Sequence, residues 1–305
     1  MILFSDRLHF SIGFLRLSDS VATIWRLMAS VLREQKLLPK TFEVSQMWGH
    51  NSDVQSETYL RLNCDEVESL IEARNLKGFM VCSGSGSRSS ELDFWIPRSP
   101  SNSPIKLSCT VGAKAKAPDD WSPLIERVMV EFETIGAWQW RRRYAYWQAD
   151  SLLDDRYHRL WGDVPPDSVT WTEPKSHLMG EDKVRIDISK NPGRSKELDG
   201  GATFYPTAEM WLGPHFWQYA KCTKEEALAA DFFIEKRDTP HYLYLKCWPE
   251  PFTRPDGEQG RMQQRLWKLF FHEDCEWPPG SGTICDEPMY GPPELMPGYK
   301  QNKST

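Results

Sequence analysis

The sequence has no apolar run long enough to span a bilayer, no CxxC pair among its seven cysteines and no excess of basic charge. Each absence excludes a class of protein. A membrane-spanning helix needs about 20 consecutive apolar residues. The opening stretch Met1 to Leu17 is broken by Asp6, Arg7, His9 and Arg16, so it reads as a strand and not as a secretory signal. Cysteines at scattered positions (Cys64, Cys82, Cys109, Cys222, Cys247, Cys275, Cys285) in an odd number build no disulfide framework and fit a reducing cytoplasm. Nucleic-acid affinity draws on clustered Lys and Arg. Here 37 basic residues face 43 acidic ones, a formal net charge of −6, which disfavours nucleic acid and favours a basic partner.

Chemical signatures are also missing. Nothing matches a Walker phosphate loop, a dinucleotide-binding glycine fingerprint, a nucleophile elbow or an HExxH zinc pattern. The one glycine-rich candidate, Cys82 to Arg88, lacks the lysine and the following helix that cradle a phosphate, and reads as a hairpin loop. His272, Cys275 and Cys285 supply three metal donors but no fourth, so neither a metal nor a cofactor is expected. The remaining histidines stand apart from any acid or nucleophile at a telling spacing. A non-enzymatic protein is the expectation, with an uncharacterised enzyme as one alternative.

What the chain has in abundance is aromatic surface: 14 Trp, 14 Phe and 10 Tyr in 305 residues. These rings serve either a Trp-rich core or a surface that grips a partner. Eighteen bases balance eighteen acids over residues 1–150, so the whole acidic excess lies beyond. Glu273, Asp274, Glu276, Asp286 and Glu287 follow one another with no intervening base.

The order of elements defines the fold class. Leu8, Phe10, Ile12 and Phe14 alternate with polar or small residues, the period of a strand. Val21, Ile24, Trp25, Met28, Val31 and Leu32 recur at helical spacing until Pro39. Strands are expected at 42–48, 79–82, 92–96 and 105–111, with a short helix at 65–75 between the first two. Ser122 and Pro123 open a further helix with a stripe from Ile125 to Ile135, and another helical pattern runs from Leu152 to Trp161. The second half repeats the alternation: strands at 168–173, 184–188 and 203–212, then a helix opened by the capping box of Thr223 and Glu226. A hairpin of 232–236 with 242–248 follows, then a last helix behind a weaker box of Asp256 and Gln259. The class is therefore α+β, mostly antiparallel sheets with amphipathic helices packed on them. Gly162 and the Pro165-Pro166 pair divide an N-terminal lobe (1–163) from a C-terminal lobe (164–271), leaving an irregular Pro/Gly-rich acidic tail (272–305). The two lobes open alike, although no residue-level repeat relates them.

Two groups are the candidate partner-binding residues. One is the segment of Trp138, Trp140, Arg142, Tyr146 and Trp147, whose alternation of ring and cation suits a helix end with locally paired cations, a platform for single-stranded nucleic acid, or interface anchors. The other is the acidic set Glu273, Asp274, Glu276, Asp286 and Glu287. No catalytic residue is assigned.

Three stretches together carry a family resemblance: the opening strand with the Ile24-Trp25-Arg26-Leu27 helix, Trp211-Leu212-Gly213-Pro214-His215-Phe216-Trp217, and Pro251-Phe252 leading to Gln259 and the Arg265-Leu266 helix. Their order resembles that of the bacterial polymorphic-toxin immunity proteins of family 52, which accompany restriction-endonuclease-like nuclease toxins, often delivered by type VI secretion. The resemblance covers much of residues 8 to 271 and implies a cytoplasmic inhibitor that neutralises a cognate toxin by binding it. It implies no catalytic residue, and it leaves open whether inhibition blocks the nuclease site or the toxin's assembly.

Overall fold

A computed structural model describes residues 8–14, 21–34, 36, 38–47, 57–72, 79–84, 90–95, 105–111, 120–149, 169–171, 184–186, 191–198 and 202–274. The Leu152 to Trp161 helical pattern, the 163/164 boundary and everything after Asp274 lie outside these residues. The fold is α+β, and every strand pairing is antiparallel.

The first half supplies β1 (Leu8–Phe14), α1 (Val21–Glu34), β2 (Phe42–Met47), β3 (Glu57–Leu62), α2 (Cys64–Glu72), β4 (Phe79–Gly84), β5 (Ser90–Trp95), β6 (Ile105–Val111), α3 (Ser122–Glu131), β7 (Thr134–Arg141) and α4 (Arg142–Ala149). Then come β8 (Val169–Trp171), β9 (Val184–Ile186), β10 (Lys196–Glu197), β11 (Thr203–Phe204), β12 (Glu209–Leu212), a 3-10 turn at Pro214–Gln218, α5 (Lys224–Ala229), β13 (Glu235–Asp238), β14 (Leu243–Lys246) and α6 (Gly257–Phe271). Ten of the strands form one sheet in the order β13-β14-β12-β7-β1-β6-β5-β4-β2-β3. Strands from both sides of residue 163 thus share a sheet, joined where β12 pairs with β7.

Side chains alternate across a strand, and here the alternation feeds two cores. Phe10, Ile12 and Phe14 of β1 pack with Ile24, Trp25 and Met28 of α1, Val67 of α2 and Ile125 and Val128 of α3 on one face. On the other, Trp138 of β7, Met210 and Leu212 of β12 and Leu243 and Leu245 of β14 pack with Phe216 of the 3-10 turn, Ala227 of α5 and Leu266, Trp267 and Phe270 of α6. Trp211 and Tyr244, one residue out of phase, return to the first core. The sheet is the middle of three layers, with helices of the first half on one face and those of the second half, joined by α4, on the other.

Several local expectations change. The stripe expected to run on from α3 to Ile135 stops at Glu131, because Phe132 turns extended (φ −131°, ψ 148°) and the chain re-enters the sheet as β7. The cap of α3 is also different: Trp121 holds the cap position, and Asp120 Oδ1 accepts from Ser122 N at 2.8 Å. β3 has no counterpart among the expected strands. The capping box at α5 forms, Glu226 N donating to Thr223 Oγ1 at 3.2 Å and Thr223 N to Glu226 Oε2 at 2.7 Å. At α6 the expected box does not: Asp256 caps nothing and forks onto Arg254, while Gln259 Oε1 accepts from Thr253 N and Arg254 N.

Candidate functional site

The aromatic and cationic segment divides between two elements: Trp138 and Trp140 lie in β7 at the centre of the sheet, and Arg142 opens α4. β7 lies between β12 and β1 with both faces covered, so Trp138 is fully buried and Trp140 is only 8% exposed. Trp140 stacks on Tyr205 at 4.0 Å between centroids and tilts against His9 at 4.8 Å. Neither ring offers a face to a base or a partner. A bulge where the β1 register shifts between Gly13 and Phe14 turns Ile135 toward the same core as Trp138. Arg142, Tyr146 and Trp147 fall in α4, and their side chains lie outside the described residues.

Beside Trp138 and Trp140, Gln139 faces the opposite way and starts a polar ladder. It stands opposite Glu209 of β12, which in turn stands opposite Lys246 of β14. Glu209 accepts from Gln139 Nε2 at 3.1 Å through one oxygen and from Lys246 Nζ through the other. Gln139 also donates to Asp120 at 3.3 Å and accepts from Trp121 N at 3.2 Å. With Glu209 and Lys246 side chains only 13% and 22% exposed, the pair is largely desolvated and each charge is met by its partner. Such a ladder fixes strand register; its donors and acceptors are committed to one another.

Of the acidic set, Glu273 has a structural task. His272 closes α6 in the left-handed conformation (φ 55°), its N–H reaching Lys268 O, and the turn carries Glu273 back over the second core. There it accepts from Arg194 and Lys196, each at 2.6 Å. Arg194 lies 3.9 Å above the Trp267 ring, and Trp267 Nε1 donates to Pro192 O at 2.7 Å, so the 191–198 segment is clasped onto α6. Burial pushes the Glu273 carboxyl up, but Lys196 and Arg194 outweigh it and leave it below the ordinary value. Asp274 is 87% exposed, 3.9 Å from Lys268. Glu276, Asp286 and Glu287 lie outside the described residues, so the acidic group is brought together only at its first two members.

A different surface stands out at the margin of the sheet, one that sequence reasoning missed. Ile234 is 61% exposed, and its N–H donates to Lys246 O at 2.8 Å, extending the β13 ladder. Its sequence neighbours Phe232 and Arg237 each belong to an arginine-on-ring pair, the two rings packing on opposite cores. Arg265 covers Phe232 at 4.3 Å and bonds Asp231, and Arg237 covers Tyr244 at 4.2 Å and bonds Glu126 at 2.7 Å. Burial, with Glu209 and Glu235 adding, holds the Tyr244 phenol far above its usual range, so it is a neutral hydroxyl. The charges of Glu235, Lys236, Arg237 and Asp238 discourage another strand from adding to this edge. An exposed aliphatic beside arginine-aromatic pairs has the composition of an interface anchor. The signal in sequence was Phe232-Phe233-Ile234 running straight into four charges, where β13's inward positions would be apolar.

The three described thiols are all shifted toward their protonated form. Burial pushes the Cys222 thiol up to about 11 and the Cys247 thiol higher still. Burial also raises Cys64, Arg33 offsetting part of the rise. All three stay protonated at neutral pH, which disarms a thiol. The described residues hold no cluster of three or more His, Cys, Asp or Glu placed for a metal. No helix among them is long and apolar enough to cross a membrane.

No protein-family model matches the chain, and no curated protein matches it. Among solved structures, the chain is similar in outline to a T6SS protein of Pseudomonas aeruginosa, at 10% identity and a TM-score of 0.48, over 91% of this chain and 78% of that one.

Proposed function

We propose that the chain is an immunity protein that neutralises a cognate type VI-delivered nuclease toxin by binding it, without catalysis. The observation that carries this reading is that the residues behind the family resemblance are architectural. Trp25 is buried and donates to Cys64 O at 3.3 Å. Trp211 and Phe216 are buried in opposite cores, and Gly213 sits so close to β7 that a Cβ there would stand 2.0 Å from Thr134 O. Phe252 and Leu266 are buried, Gln259 pins the turn before α6, and Arg265 covers Phe232. A reactive centre would place ionisable groups around a cleft. These motifs pack the two cores and the turn before α6, which supports a binding role carried by the sheet's margin.

The reading takes Ile234 as the apolar anchor of the partner surface, with Arg237 and Arg265 held beside it by ring and carboxylate. Preorganised arginines lose little freedom on binding. Co-expression with the adjacent toxin gene tests the function. Cells survive when the intact chain is present. Death of those cells at normal levels of the folded protein removes the immunity reading.

A further inference from the structure

We propose that the hollow between the end of α1 and the start of α2 binds a small phosphate ester. It is open, about 440 Å³ in volume, and lined by Arg33, Lys36 and Lys40 with Leu38, Pro39 and Asp65 among its walls. That volume lies within the roughly 300–1,000 Å³ of small-molecule sites. It neighbours β2 and β3 at the far edge of the sheet from β13, so it is separate from the partner margin.

Charge identifies the ligand class. Three cations face one carboxylate, Asp65, in a protein whose net charge is negative. Glu34, the last residue of α1, is turned to Arg127 at 3.7 Å, and no described carboxylate pairs with Arg33, Lys36 or Lys40. The helix ends do not supply the binding groups. Asp65 N and Glu66 N at the start of α2 both donate to Asn63 Oδ1 at 3.0 Å. The last carbonyls of α1 are capped by Lys36 N on Arg33 O and Leu38 N on Leu32 O. An anion is therefore held by side-chain cations, the arginine offering a fork and the lysines point charges, which suits a phosphate with several oxygens. Half-buried Leu38 and Pro39 give a shelf for its organic part.

Lys36 is the second observation. Its φ of 58° is left-handed, the helix-ending position that glycine takes without strain. Lysine there accepts that strain and sets a third ammonium on the rim.

Calorimetric titration of the full chain with ADP and with pyrophosphate, at low and at 300 mM salt, tests the site. Both bind at low salt and weaken as salt rises. Lys36→Gly binds about five-fold more weakly, the effect of one charge removed at close range in water, while its Tm is unchanged or higher because glycine relieves the backbone. Absence of ADP binding, or equal binding by wild type and Lys36→Gly, overturns the proposal. So does a short single-stranded oligonucleotide that binds more tightly than ADP through the same residues, since the ligand is then a polymer and not a small ester.

Discussion

Replacing Gly213 by alanine tests how far the Trp211 to Trp217 stretch is architecture. Its φ of −72° suits any residue, so the backbone itself bears no strain. The obstacle is space: a Cβ would lie 2.0 Å from Thr134 O and 2.8 Å from Thr134 Oγ1, well inside van der Waals contact. Neither side can yield cheaply. Thr134 begins β7, held between β1 and β12, and Gly213 N donates to Ile135 O at 2.9 Å. Relief of the clash sacrifices that hydrogen bond, about 1 kcal/mol, and adds an overpacking cost of about 1–3 kcal/mol. The sum, about 2–4 kcal/mol, is a large part of a typical stability of about 5–15 kcal/mol. In urea, with a slope of about 3 kcal/mol per molar, the midpoint falls by about 1 M with the slope unchanged. Gly257→Ala is the contrast, since Gly257 has φ 58° and an added methyl would meet nothing within 4 Å, leaving only strain of about 1 kcal/mol. A Gly213→Ala midpoint no lower than that of Gly257→Ala would refute the packing argument.

Two further expectations concern the second core and its clasp. Trp138 Nε1 is buried with no acceptor among the described residues, whereas Trp211 Nε1 donates to Glu126 at 3.3 Å. Trp138→Phe removes an unpaired donor and Trp211→Phe a paired one, so the first costs less in a denaturant melt by about 1 kcal/mol; equal costs contradict the assignment. Because the Glu273 carboxyl is lowered in the fold, its clasp contributes fully above its ordinary value of 4.5 and is lost as pH falls through the lowered folded value. Solvent screening limits it to about 1 kcal/mol. The stability gap between wild type and Glu273→Gln therefore closes as the pH is taken from 7 to 3, and a gap that widens instead would reverse the sign.

Much of the framework was legible because it rests on local periodicity. The alternation in β1, the stripe of α1, the box of Thr223 with Glu226 and the turn between β13 and β14 all lie within a few residues of one another. What escaped depends on distant partners. Gln139 and Glu209 are 70 positions apart, and Arg194 and Glu273 are 79, so neither the ladder nor the clasp leaves a local mark. Trp138 and Trp140 misled for a related reason. A strand covered on both faces loses the polar alternation that marks a half-exposed one, and tryptophans with arginines nearby then resemble a surface platform. Of the candidate site, the acidic residue Glu273 was visible as a charge but not as a clasp, and Ile234 was hidden because the expected 232–236 strand includes Phe232-Phe233-Ile234, whereas β13 begins at Glu235.

On the proposed reading, the sheet presents its β13 margin to a toxin. The direct measurement is the dissociation constant of the purified chain with the product of the adjacent toxin gene, for wild type and for Ile234→Asp. Nanomolar binding that weakens at least ten-fold in a variant with an unchanged melting curve is the predicted result. Undetectable wild-type binding contradicts the claim of a toxin partner, and equal affinity of the two proteins contradicts the placement of its surface.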